Sequence, residues 1–407
     1  MLRKIIIIYL IIASLNVFNI SALGSLNTMI NFSGIILMVF IIIVDQVYTR
    51  TKMMKRNFVI PIYLIFIAVF LSMFTAFFAF RQNFQVTLFS QRDIYFYLFY
   101  FTLHVLKPEK KEFQRLIIYM GLIYLIAYLI QYFSFPTEIF DVTMRKERGT
   151  VRVYLEGSGY AMIAYYLCLQ IFYTTNKFKY LFLAILFLIP IILFGARSAL
   201  LTIVIGTFAQ LIFSKRIRSK ALIIFLVLLA LVPTYLFFQD VFTSMVKASQ
   251  LESAQGTENV RILAAQYFMT RFIPNDMAFL TGIGAPSAES PLGKLTMMLS
   301  ETYGFYLSDI GIIGNFVTYG ALFVLAVILI VFRTMFLKIT LEMSYLKYFF
   351  FFEVFLMLPI AAGFAYSAPI VIICSCLYLA DVSHYERGLS LKSAEPEIVN
   401  TKVPVNP

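Results

Sequence analysis

Residues 239–309 read QDVFTSMVKASQLESAQGTENVRILAAQYFMTRFIPNDMAFLTGIGAPSAESPLGKLTMMLSETYGFYLSD, the one long polar stretch in an otherwise almost wholly apolar chain. Hydrophobic residues make up 61% of the 407 residues and charged residues 13%, which is unlike soluble globular domains. Outward from this stretch, apolar runs able to cross a hydrocarbon core of about 30 Å recur along nearly the whole chain. The composition therefore predicts one integral membrane domain that carries a large polar loop.

The apolar runs predict an all-α polytopic membrane protein with about 12 transmembrane helices. Their expected limits are 5–22, 30–47, 58–80, 94–106, 116–135, 158–175, 180–194, 199–213, 221–238, 310–332, 348–362 and 367–380. A cleaved signal peptide is the alternative for the first run. We expect residues 1–380 to form a single transmembrane domain and residues 381–407, which lack apolar periodicity, to form a disordered tail.

The basic residues predict the orientation of this domain. Most of the 33 Lys and Arg residues fall in alternate connections between the apolar runs, beginning with Arg3 and Lys4. Because positive charges favour the cytoplasmic side, both termini are expected in the cytoplasm. The loop at 239–309, between spans nine and ten, and a shorter segment at 136–157 then lie on the outer face. The net charge of +12 follows largely from this topology and does not indicate a nucleic-acid partner.

Arginines occur on the predicted outer face, where the topology rule does not account for them. Arg145, Arg148 and Arg152 lie in the segment 136–157, and Arg197 lies in a tight turn between two apolar runs. A guanidinium group is permanently charged, and its planar fork binds phosphate oxygens in pairs. These arginines are therefore candidate ligands of a phosphate-bearing lipid headgroup or of a lipid-linked diphosphate. The alternative for the first three is pairing with acidic residues of their own segment, namely Glu138, Asp141, Glu147 and Glu156.

The large loop offers a further arginine and a glycine-rich turn. Thr257 is a possible N-cap for a short helix from whose start Arg261 would project. The stretch TGIGAPS at 281–287 contains Gly282 and Gly284, and backbone N–H groups in such a turn could approach a phosphate or a sugar. A simple structural turn is the alternative for these two glycines.

Two carboxylates are candidate general bases. Asp309 precedes the apolar entry to span ten, where partial desolvation would raise its pKa, and Glu289 lies beside the glycine-rich turn. A cap on the following helix is the alternative role of Asp309. The predicted outer segments contain neither His nor Cys nor an Asp-x-Asp pair, so we expect no metal site and no cofactor.

Together these features resemble the O-antigen polymerase family, within the superfamily that also contains O-antigen ligases. Besides the number of spans, the resemblance rests on GARSALL at 195–201, Arg261 ahead of TGIG at 281–284, and SDIGIIG at 308–314. Both main outer segments also contain an arginine followed by ten residues and a glycine. These pairs, Arg148 to Gly159 and Arg271 to Gly282, are similar to a pattern described for such polymerases.

The resemblance implies a metal-independent glycosyltransferase on the outer face of the bacterial cytoplasmic (inner) membrane. It would move a growing glycan from undecaprenyl diphosphate onto another lipid-linked repeat unit, building the O-antigen of lipopolysaccharide or a similar surface polysaccharide. A chain-length-regulating co-polymerase is a further implied partner. Arg152, Arg197 and Arg261 are the residues carried over as ligands of the diphosphate or the glycan, with Arg271 from the paired pattern.

Two alternatives remain open at the level of the sequence. An O-antigen ligase is expected to carry a histidine in its large outer loop, and residues 239–309 contain none, which favours a polymerase. A non-enzymatic flippase or permease for lipid-linked oligosaccharides should line its central spans with charges. Here the mid-span ionisable residues are few, chiefly Glu353.

Overall fold

The computed structural model describes residues 2–49, 56–147, 150–213, 239–360 and 363–392. Most of these residues are helical. Helices α1 to α9 are Leu2–Ser14, Leu26–Val44, Val59–Phe80, Phe84–Ser90, Leu98–Leu106, Lys110–Phe133, Ser158–Thr175, Phe178–Phe194 and Arg197–Phe213. Helices α10 to α16 are Gln239–Gln255, Val260–Tyr267, Asp276–Thr281, Pro291–Tyr303, Gly311–Phe336, Tyr345–Tyr348 and Ser367–Lys392.

Five helices in the described residues are long and apolar enough to cross a membrane. They are Leu26–Tyr48, Val59–Phe80, Lys110–Phe133, Leu307–Phe336 and Ser367–Ser390. Two shorter apolar helices, α8 and α9, accompany them. This confirms the coarse expectation of a mainly α-helical membrane protein. The predicted span at 221–238 lies outside the described residues.

Three predicted spans differ from the observed elements. In the run at 5–22, α1 ends at Ser14, and a turn of residues with positive φ follows at Asn16–Asn19. The run at 94–106 is divided into a 3₁₀ segment, Arg92–Tyr97, and the short helix α5. The run at 348–362 contains a π-helical segment, Phe349–Phe355, after α15. An apolar run alone does not distinguish a straight helix from such interrupted segments, because both bury the same side chains.

One end of the bundle, which we call the tail end, is fastened by a buried polar network around Asp381. The Asp381 carboxylate accepts hydrogen bonds from Asn57 Nδ2 at 2.7 Å and from the Tyr100 hydroxyl at 2.6 Å, and His104 Nε2 lies 3.3 Å away. Asp381 itself is 1% exposed, and α16 continues to Lys392. The prediction of a disordered tail from residue 381 is therefore wrong for residues 381–392, and residues 393–407 lie outside the described residues.

The opposite end carries α10 to α13, and we call it the loop end. A two-stranded antiparallel hairpin of β1 (Met144–Glu147) and β2 (Thr150–Val153) also lies there, with Arg145 opposite Arg152. Ahead of the hairpin, Phe140 pairs with Ile20, which ties this segment to the connection between α1 and α2. That connection includes a left-handed turn at Asn16–Asn19, in which all four residues have positive φ. The segment that precedes the hairpin is thus packed against the connection between α1 and α2.

Candidate functional site

The structure brings two of the predicted site residues into one pocket. Arg261 and Asp309 both line a loop-end cavity of 330 Å³, which we call the arginine pocket, together with Gln255, Asn259 and Tyr306. Asn259, rather than the expected Thr257, caps α11, since its Oδ1 accepts the Arg261 backbone N–H at 3.0 Å. Both charged side chains are exposed, so Asp309 is not desolvated as the sequence suggested. An exposed guanidinium beside a carboxylate suits a solvated anionic group that also has hydroxyls.

Arg197 reaches the same loop from the membrane helices. Gly195 ends α8 in a left-handed conformation, and α9 begins at Arg197, so the predicted tight turn is confirmed. The Arg197 Nη1 donates a hydrogen bond of 2.7 Å to Ser249 Oγ on α10. Six residues farther along α10, or about 9 Å, is Gln255, which lines the arginine pocket. The turn that contains Arg197 is therefore linked through α10 to the pocket that Arg261 lines.

The hairpin arginines have a different environment. Arg152 is 9% exposed, donates through Nε to the Phe194 carbonyl at 2.8 Å, pairs with Glu147, and packs over the Phe194 ring. Pairing within the segment, the alternative left open by the sequence, thus holds for Arg152, which fastens the hairpin to the end of α8. Arg145 is exposed near the Tyr154 ring, and Arg148 lies outside the described residues.

The glycine-rich turn at 281–287 allows two backbone segments to pack closely. Its backbone N–H groups are already bonded: that of Gly282 to the Ala278 carbonyl at 2.8 Å, and that of Gly284 to the Thr318 carbonyl at 2.9 Å. Gly282 has φ +75°, and a Cβ there would overlap the Thr318 carbonyl oxygen. These N–H groups do not face an open site, so the proposed phosphate or sugar contact through Gly282 and Gly284 is wrong. The turn lets α12 cross a kink at Gly320 in α14.

A second cavity of 490 Å³ adjoins the arginine pocket, and Tyr306 lines both. We call it the polar groove. Its polar and aromatic lining includes Ser90, Asp93, Phe305, Tyr306, Ser308 and Asn315. Two polar atoms of these lining residues, Asp93 Oδ1 and Asn315 Nδ2, are buried and have no hydrogen-bond partner among the described residues. Because buried polar atoms are normally paired, these two atoms are candidates for contact with a ligand or water.

Glu156 lies near Asp93, and its pKa is strongly shifted. Burial raises the pKa of Glu156 to about 7, and the charge of Asp93 contributes in the same direction. A hydrogen bond from Asn16 and the charge of Arg92 act the other way. Burial also raises the pKa of Asp93, against the effects of Arg92 and a backbone hydrogen bond from Ser367. The sequence did not predict either acid as a catalytic residue, because they lie 63 residues apart in unrelated segments.

A third cavity, the apolar chamber, has a volume of 420 Å³ and lies between α7, α8, α9 and α16. Aromatic and aliphatic side chains line it, including Met162, Phe194, Phe364 and Ile372. Glu156 and Glu353 are its acidic members. The Glu353 carboxyl group accepts hydrogen bonds from the Tyr166 hydroxyl at 2.9 Å and from Thr202 Oγ1 at 3.0 Å. The chamber suits a flexible hydrocarbon with a polar end.

The remaining predicted residues lie elsewhere. Arg271, on a π-helical turn at Phe268–Phe272, and Glu289, before α13, are both exposed, and in the described part of the chain neither lines the groove, the pocket or the chamber. No group of three or more His, Cys, Asp or Glu side chains arranged to hold a metal ion occurs within the described ranges. The chain matches no protein-family model, no curated protein and no solved structure.

Proposed function

We propose that this protein is a membrane glycosyltransferase that polymerises oligosaccharide repeat units carried on undecaprenyl diphosphate. The donor is the growing glycan on its lipid diphosphate, and the acceptor is another lipid-linked repeat unit. The reaction takes place on the outer face of a bacterial cytoplasmic membrane and gives O-antigen or a similar surface polysaccharide. The full topology of about 12 spans with both termini in the cytoplasm belongs to the same proposal.

The observation that carries this proposal is the arginine pocket beside the polar groove. Arg261 and Asp309 line the pocket, and Tyr306 lines both cavities. A guanidinium group can stabilise the negative charge that develops on a departing diphosphate, while the groove offers polar and aromatic groups to a sugar. Arg197, hydrogen-bonded to α10, supplies a second positive charge at the loop end.

The apolar chamber supports a lipid-linked substrate. Its aliphatic and aromatic walls reach the loop-end turns at Phe194 and Ala196, one residue before Arg197. A polyprenyl chain placed there would bring its diphosphate towards that arginine. A soluble nucleotide-sugar substrate would gain nothing from such a chamber.

A flippase or permease has less support. The buried Glu353 is hydrogen-bonded to Tyr166 and Thr202, and Asp381 is held by Asn57 and Tyr100. Acids fastened in this way stabilise helix contacts and are costly to release during alternating access. These contacts favour a static membrane scaffold with its chemistry at the loop end.

The test is incubation of the purified protein with a lipid-linked repeat unit, with and without EDTA, followed by gel analysis of the glycan. We expect a ladder of chain lengths that is insensitive to EDTA. Arg261→Ala should reduce chain growth by at least about 100-fold, the scale of losing one transition-state charge contact. A wild-type protein that makes no polymer would refute the proposal.

The matched control is Lys294→Ala, which removes an exposed positive charge from α13 in the same loop. It should leave the ladder unchanged, because the charge is not part of the arginine pocket. Equal losses in both variants would mean that the net charge of the loop, and not the position of Arg261, governs activity.

A further inference from the structure

The polar groove has the properties of a saccharide site. Its wall carries an amide, a carboxylate, hydroxyls and the rings of Phe305 and Tyr306. Pyranose sugars present hydroxyl groups at their edges and C–H groups on their faces, so they bind to this mixture of hydrogen-bonding and aromatic side chains. At 490 Å³ the groove has room for a small oligosaccharide.

Asn315 gives an independent sign of a ligand. It is 3% exposed and lines the groove from the second turn of α14, yet its Nδ2 has no partner among the described residues. A buried amide without a partner is destabilising, so such a group is normally matched when the site is filled. A sugar hydroxyl oxygen is a suitable acceptor for this N–H.

Asp93 lies in the same groove and has an oxygen without a partner. Burial raises the pKa of its carboxyl group, against the effects of Arg92 and of the Ser367 backbone, while Oδ1 has no partner among the described residues. Oδ1 is therefore the oxygen that could accept the proton of an acceptor hydroxyl. The ionisable groups whose charges act around it, besides Tyr306 on the groove wall, are Arg92, Tyr95, Glu156, Asp309, Tyr319 and Tyr366.

We propose that the polar groove binds the acceptor oligosaccharide and that Asp93 is the general base that removes the proton from its attacking hydroxyl. This inference rests on the proposed glycosyl transfer. The acceptor oxygen forms a bond to the anomeric carbon of the donor sugar. The bond from that carbon to the diphosphate oxygen breaks, and its electron pair leaves with the polyprenyl diphosphate. The hydroxyl proton moves to the Asp93 carboxylate, which later releases it to water.

The placement of charge agrees with this division of roles. Arg261 lies in the pocket that would receive the negative leaving group, and Asp93 lies in the adjoining groove that would hold a neutral sugar. A neutral acceptor sugar, unlike the diphosphate, is not repelled by the Asp93 carboxylate. Tyr306, between the two cavities, marks where the two sugars would meet.

The experiment measures chain growth and saccharide binding separately. Binding is followed by saturation-transfer NMR with the lipid-free repeat-unit oligosaccharide, released from the host's lipid-linked intermediate by mild acid. Asp93→Asn should lower kcat by about 100-fold or more, as expected for a lost general base, with binding unchanged. Asp93→Glu should recover part of the rate. Asn315→Leu should weaken binding by about 10-fold, the scale of one lost hydrogen bond.

Glu301→Gln on α13 is the matched control, since it removes an exposed carboxylate near the groove. Its growth and binding should equal those of wild type. Asp93→Asn with a rate within about threefold of wild type would overturn the catalytic role, and absence of oligosaccharide binding, or binding unaffected by Asn315→Leu, would overturn the site. Wild-type protein that binds the oligosaccharide but extends no chain would refute the proposed function and leave the saccharide site standing.

Discussion

Glu156→Gln is expected to stabilise the protein above neutral pH far more than at pH 5. Burial and the charge of Asp93 raise the pKa of Glu156 from 4.5 to about 7 in the folded protein. The folded state therefore holds this proton more tightly than the unfolded state does. The resulting stabilisation of the folded state is fully present below pH 4.5 and is lost as the pH rises through 7. Above that pH the folded protein holds a poorly solvated carboxylate, which unfolding exposes to water.

The magnitude follows from the two pKa values. The difference between 4.5 and about 7 corresponds to about 3 kcal/mol at about 1.4 kcal/mol per pKa unit. Glutamine is neutral at every pH, has nearly the same shape, and its carbonyl oxygen can keep the hydrogen bond from Asn16. The variant should thus exceed wild type by about 3 kcal/mol at pH 8 and by about 1 kcal/mol at pH 5.

Thermal unfolding in detergent, followed by far-UV circular dichroism at several pH values, measures this effect. Glu138→Gln is the control, since Glu138 is an exposed acid of the same outer segment. Its melting temperature should run parallel to that of wild type across the pH range. A Glu156→Gln variant with no gain at pH 8, or with the same gain at pH 5 and pH 8, would show that Glu156 is not a buried acid near Asp93.

Three further substitutions test particular contacts. Arg197→Ala should abolish long glycans while leaving the amount of protein in the membrane intact, and Arg197→Lys should restore little because the planar fork is lost; a gel of the glycan decides, and normal ladders from both would remove Arg197 from the site. Arg152→Gln should lower stability by about 2 to 3 kcal/mol, since it breaks the contacts with Glu147 and the Phe194 carbonyl; an unchanged melting temperature would contradict this. Gly320→Ala should cost about 2 kcal/mol or more, because φ is +80° and a Cβ would overlap the Leu280 carbonyl; Gly388→Ala, where a Cβ has open space, should be neutral or slightly stabilising.

The sequence predicted those features that depend on local chemistry. Apolar length predicted membrane-spanning helices, of which five occur in the described residues, and Gly195 followed by a polar turn predicted the sharp reversal before Arg197. The sequence did not identify the helix cap, because the side chains of Thr257 and Asn259 can both cap a helix. Only the folded chain shows that Asn259 caps α11. The meeting of Asp93 with Glu156 could not be predicted, since it depends on how the segment after α3 packs against the segment before α7.

The glycines of the paired arginine–glycine pattern have a structural explanation. A Cβ at Gly159 would press on the Ile372 side chain of α16, and one at Gly282 would overlap the Thr318 carbonyl on α14. Each glycine therefore permits a close approach between two parts of the chain. The pattern therefore reflects close packing of these two segments against the helices. It gives no separate support for a ligand-binding role of Arg271.

The two charged clusters at the loop end differ in how they are held, and this difference bears on the proposed glycosyl transfer. Arg261 is an exposed side chain on a short loop helix, so it can adjust to a diphosphate of changing position. Asp93 lies beside the backbone of Ser367, the first residue of α16, which is a helix of 26 residues. A base must lie within hydrogen-bond distance of one proton, whereas a counter-charge acts over several ångströms. A rigid acid and an adjustable arginine are therefore the arrangement expected if the acceptor is positioned by the bundle and the leaving group by the loop.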